Sequence, residues 1–236
     1  MENEQELYEK VISHLDYSGR IEKSTVERNG RRLHLVGEEH GSREAVDYAH
    51  FEIVPKILVN PNKWMILREG LYSHVNSSEE GLLPVIADHV YFTRLPTVLG
   101  IPADDVIKCV DDPDVKKGIL RESDLTEKDV DAWLLTTFVH LNKSLVGFER
   151  RNAERRLIQM LDRDETYVEE VFQHAVSEDG PMITRRVHEK LMPAWNRYTS
   201  KKLDEILAQH PSRTDVLVSA GIAHLPAFCQ NYTAIG

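Results

Sequence analysis

Cysteine is scarce in this chain. Cys109 and Cys229 are the only two in 236 residues, far apart and without CxxC spacing. That pattern excludes a disulfide framework and a zinc knuckle, and it suits two free buried thiols in a reducing compartment. Long apolar runs are missing too. No stretch approaches the roughly 20 residues that a membrane span requires. The acidic start MENEQELYEK has neither the basic nor the apolar region of a secretory signal. The expectation is a cytoplasmic protein without a membrane partner. Basic charge is in deficit, with 29 Lys and Arg against 39 Asp and Glu and a net charge of −10. Phosphate backbones and anionic lipid surfaces both need a net basic face, so nucleic acid is not an expected partner. Internal repeats and low-complexity tracts are also absent.

What is present is an ordinary globular composition, 41% hydrophobic and 29% charged. A chain of this length is long enough to bury roughly 70% of its unfolded surface. Leu7, Val11, Ile12 and Leu15 fall at helical spacing. RIEKSTVERN and RRLHLVG read as antiparallel strands joined through Asn29-Gly30. A helix is expected over about 43–59, with Pro55 as its weak point because a proline there costs a hydrogen bond. Trp64, Met65, Ile66 and Leu67 form a short continuous apolar run, as in strands of parallel sheets covered on both faces. A helix near 79–93 follows, and PTVLGIP reads as a short third strand. From Thr126 to about His210 the pattern is almost wholly helical, opening on a capping box of Thr126 with Asp129 and continuing through Val130, Leu134, Val139, Leu141 and Leu145. SEDGP near residue 180 breaks this region. Val216 to Ser219 is a last strand, ending at Gly221 before another helix. The layout implies a single α/β domain over 1–236: a central, mostly parallel sheet flanked by helices, with about 103–210 as a mainly helical insertion.

Two strand ends carry the same pattern. VGEEHG gives Gly37-Glu38-Glu39-His40, and SAGIAHLP gives Gly221-Ile222-Ala223-His224. Each is G-x-x-H at a strand's carboxyl end, where open α/β sheets collect their ligands. The strand MILREG closes on Arg68 and Glu69. Histidine titrates near neutrality and serves as a general base or a metal ligand, and a carboxylate beside it orients the ring, activates water or completes a metal site. Successive residues point apart, so one of Glu38 and Glu39 is expected to face the site, with Glu38 favoured. The bland alternative is that His40 and His224 cap helices or satisfy buried carbonyls. For a lone histidine such as His50 or His89, that alternative is the stronger one. Arg150, Arg151, Arg155 and Arg156 lie among Glu149 and Glu154, and an ion-paired, solvated helix face accounts for most of them.

VGEEHG, the glutamate of MILREG, FERRNAERRL and SAGIAHLP together resemble the superfamily containing the Tiki proteases, the TraB/PrgY pheromone-shutdown proteins, the haem-binding ChaN lipoproteins and the erythromycin esterases. The resemblance covers most of the chain in order through few matched residues. It implies an active site of His40, His224, Glu69 and Arg151 (Arg150 is the alternative), with Glu38 supported by the G-E-x-H form. The chain departs from several relatives in showing no membrane segment or lipoprotein signal.

The expected function is hydrolysis of an amide or ester bond in a small-molecule or peptide substrate. Water would be activated by His40, or by a divalent metal such as manganese held by His40, His224 and Glu69. Arg151 would stabilise the developing negative charge. The alternatives are a haem or small-ligand binding protein of the same fold, and a non-catalytic interaction module.

Overall fold

Asn29 and Gly30 both take positive φ, 50° and 72°. This is the backbone that a two-residue hairpin loop demands. The loop joins β1 (Ile21–Arg28) to β2 (Arg31–Glu38), paired antiparallel from Arg28↔Arg31 to Ile21↔Glu38. The computed structural model describes residues 2–15, 19–38, 41–70, 79–108, 112–141, 164–176 and 180–229. Three further strands complete the sheet: β3 (Trp64–Glu69), β4 (Ala103–Ile107) and β5 (Asp215–Gly221). The order is β1-β2-β5-β3-β4, with every pair parallel except β1 with β2. The architecture is therefore α/β around a mostly parallel sheet, and Trp64 to Leu67 are all buried, as a strand covered on both faces requires.

One core forms where α1 (Glu4–Ile12), the helical stretch 43–59 and α4 (Glu79–Leu99) pack with sheet residues Val36, Trp64, Ile66 and Leu217. The stretch 43–59 is helical throughout, but in three parts. α2 (Arg43–Tyr48) passes through a π-turn, Ala49–Ile53, into α3 (Val54–Val59). Pro55 sits in the first turn of α3. It offers no N–H to the carbonyl four residues back, and the wider turn falls where that bond is missing.

The strand expected in PTVLGIP is corrected. Residues Pro96 to Leu99 are the last turn of α4, and β4 starts only at Ala103. Gly100 is the reason, because at φ 64° it ends the helix in a left-handed cap. Its N–H donates to Thr97 O at 3.3 Å, and Ile101 N–H donates to Pro96 O at 3.0 Å. Those are the two bonds of a Schellman motif.

The chain forms two compact units. One comprises Met1–Gly70, Asn76–Lys108 and Thr199–Gly236, and contains the sheet. The other comprises Leu71–Val75 and Cys109–Tyr198. β4, at the start of the stretch expected as an insertion over about 103–210, falls in the first unit. In the second unit the described residues form α5 (Pro113–Glu122), α6 (Glu127–Leu141), α7 (Glu165–Val176) and the greater part of α8 (Gly180–Gln209). The Asp112 carboxylate caps α5, accepting from Asp114 N at 2.9 Å and Val115 N at 3.2 Å. α6 opens on the expected box: Thr126 N–H donates to Asp129 Oδ2 at 2.9 Å, and Asp129 N–H to Thr126 Oγ1 at 3.2 Å. Val130 and Leu134 are buried, whereas the side chains of Val139 and Leu141, all of Leu145, and the break expected at 177–179 lie outside the described residues. Among the described residues no helix is long and apolar enough to cross a membrane.

Candidate functional site

Strand order decides what meets at the carboxyl edge. β5 lies between β2 and β3, so the ends of these three parallel strands are neighbours. Gly37 pairs with Ala220 and Glu38 with Gly221, so the two G-x-x-H motifs start side by side, offset by one residue. After Gly221 the chain turns through the 3-10 segment Ile222–His224 into α9 (Leu225–Cys229). This return passes close to β2. A Cβ on Gly37 would stand 2.5 Å from Leu225 Cδ1, so only glycine lets the segment after His224 pack there.

Gly221 holds a carboxylate. Its N–H donates to Glu69 Oε2 at 2.8 Å, and Glu69 Oε1 lies 3.9 Å from Nε2 of His224. Glu69 therefore spans the backbone of β5 and the ring three residues further on. The pairing of β3 with β4 shifts at this point, from Arg68↔Asp105 to Glu69↔Ile107, with the extra residue, Val106, on β4. Arg68 anchors this strand end, donating through Nε to Asp105 Oδ1 at 2.6 Å and through Nη1 to Thr93 O at 2.9 Å. Gly70 N–H closes the end against Ile107 O at 2.8 Å.

Glu38 is held differently. Alternation along β2 and β5 puts it on the same face as Ser219, whose hydroxyl donates to Glu38 Oε1 at 3.2 Å. Glu38 and His224 are each only 4% exposed. Burial of a carboxylate and an imidazole is costly unless both are partnered, and sheet edges rarely need it for stability alone.

Of the expected site residues, the structure thus brings Glu38, Glu69 and His224 together around Gly221. His40, Glu39, Arg150 and Arg151 lie outside the described residues. Among the described residues no cluster of three or more His, Cys, Asp or Glu side chains is placed to hold a metal ion. His50 lies elsewhere, bonded to Tyr91 and Gln5, as a satisfied core histidine would be. Ser219 is the functional candidate that sequence reasoning passed over. Its signal was a hydroxyl in the otherwise apolar run VLVSAG, two residues before the motif glycine.

No family model, curated protein or solved structure matches this chain.

Proposed function

We propose that the protein hydrolyses an amide or ester bond of a small-molecule or peptide substrate at the carboxyl edge of β2, β5 and β3, and that it does so in the cytosol. The observation that supports this most is the shared position of Glu69 on the Gly221 amide and beside the His224 ring. A carboxylate so fixed orients the imidazole and stabilises the imidazolium, which makes His224 the general base. His224 would take a proton from water as the water oxygen bonds to the substrate carbonyl carbon. The same ring would return that proton to the leaving amine or alcohol as the scissile bond breaks. Arg151, assigned by resemblance, would offset the oxyanion charge, and Glu38, fixed by Ser219, would orient the attacking water. The imidazole and carboxylate donor types of His224 and Glu69 fit a divalent metal such as manganese, and with His40 they would hold it. Such an ion supplies a lower pKa for bound water.

The test is a screen of ester and peptide substrates with protein purified without chelator, its metal content measured alongside, for the parent, His224→Ala and Glu69→Gln. Turnover by the parent, reduced about 10²- to 10⁴-fold in His224→Ala while the variant still melts cooperatively, is expected. Variants as active as the parent would move the chemistry elsewhere. Tight haemin binding without turnover of any substrate would replace hydrolysis with ligand binding.

A further inference from the structure

A chain of hydrogen bonds centred on a buried histidine joins three helices away from the sheet edge. His50, in the π-turn, is 7% exposed. Its Nδ1 lies 3.2 Å from the hydroxyl of Tyr91 on α4, and its Nε2 lies 3.2 Å from Oε1 of Gln5 on α1. Gln5 donates through its own nitrogen to Glu9 Oε1 at 2.8 Å, so the oxygen facing His50 is an acceptor. Nε2 of His50 therefore carries the ring proton, and Nδ1 accepts from the Tyr91 hydroxyl. Tyr8 of α1 stacks on the imidazole with ring centres 4.2 Å apart, and its hydroxyl donates to Asp47 at 2.8 Å. The neutral ring satisfies every one of these partners. A second proton, at Nδ1, would turn the Tyr91 O–H away and cost it the buried acceptor it now has.

We infer that α1 is an acid-released cover: protonation of His50 undocks α1 from the helical stretch 43–59 and from α4, while the sheet stays folded. Hydrating the imidazolium requires one of the elements around it to lift. The stretch 43–59 buries Ala45, Val46, Ala49, Ile53, Val54 and Ile57, and α4 buries at least Val90, Tyr91, Phe92 and Leu95. α1 buries Leu7, Tyr8 and Val11, so lifting it forfeits the least apolar contact. The charged and titratable groups that face the ring are Glu4 and Tyr8 from α1, with Glu9 beyond Gln5, Asp47 from α2 with Arg43 near it, and Tyr91 from α4. Burial holds the ring below its ordinary titration range, although Glu4 and Asp47 pull the other way. The undocked ring titrates normally, and that difference drives release as pH falls.

Amide hydrogen exchange on the full chain at pH 7.5 and pH 5.0, corrected for intrinsic rates, tests this. Protection of the α1 amides should fall by up to about tenfold per pH unit through the release, with the β5 amides unaffected. His50→Gln presents a donor to Gln5 and an acceptor to Tyr91 but takes no charge, so its α1 protection should be flat with pH. Should that variant not fold, Tyr91→Phe removes the hydroxyl bond that favours the neutral ring, so the docked and undocked rings titrate closer together and the loss of α1 protection between pH 7.5 and pH 5.0 should shrink. Equal α1 protection at both pH values in the parent, simultaneous loss in β5, persistence of the effect in His50→Gln, or an undiminished pH-dependent loss in Tyr91→Phe would each overturn the inference.

Discussion

Gly37 and Gly221 open the same four-residue motif yet serve it in different ways. Gly37 is needed for its lack of a side chain, because Leu225 occupies the space a Cβ would take. Gly221 is used for its backbone N–H, which grips Glu69. Gly37→Ala should destabilise the protein by about 1–3 kcal/mol, the usual cost of overpacking. Adding Leu225→Ala should recover part of that loss, so the two substitutions should be non-additive in urea unfolding. Strict additivity would show that the close approach is not what constrains position 37. The motif spacing was legible in the sequence because glycine, carboxylate and histidine are distinctive types at fixed intervals. Ser219 was not, because its partnership with Glu38 depends on the register of β2 against β5, and a register between strands so distant in the chain leaves no local trace.

Among the elements, the local signals that open a turn or a helix are readable in the sequence, whereas the local stop at Gly100 is not. Asn29-Gly30 specified the hairpin, and Thr126 with Asp129 specified the start of α6. Thr126→Ala should cost about 0.5–2 kcal/mol through loss of that cap, measured by denaturant midpoint. An unchanged midpoint would mean that tertiary contacts, not the box, fix the helix start. The end of α4 was misread because Thr97, Val98 and Leu99 suit a strand by propensity, and the helix runs on only because Gly100 caps it and Leu95 packs in the core. Pro55 is a weak point visible in the sequence, but its accommodation by a π-turn, rather than by a break, is a property of the folded backbone.

For the molecule as a whole, alternating strand and helix patterns sufficed to expect an α/β fold with a mostly parallel sheet. The order β1-β2-β5-β3-β4 was out of reach, since inserting the last strand between the second and third is a long-range choice. That same choice lays β5 across from β2, and it creates the buried histidine at the other end of the sheet. His34 stacks on Trp64 at 4.9 Å, with Nδ1 3.4 Å from Thr25 Oγ1 and Nε2 3.6 Å from Asp215 Oδ1. Burial lowers its pKa from the ordinary 6.5, outweighing the pull of Asp215, and Lys56 and Arg32 push in the same downward direction. The folded chain therefore holds this ring neutral where the unfolded chain has begun to protonate it. The resulting stability is complete above about pH 6.5 and is lost as pH falls towards the lowered folded-state value, because the unfolded state binds more protons in that window. Urea unfolding at pH 7.5 and pH 5.0 should show a lower midpoint at the acid value, and His34→Gln should narrow the difference between the two. An identical pH difference in parent and variant would assign the acid sensitivity to other groups and leave His34 a packing residue alone.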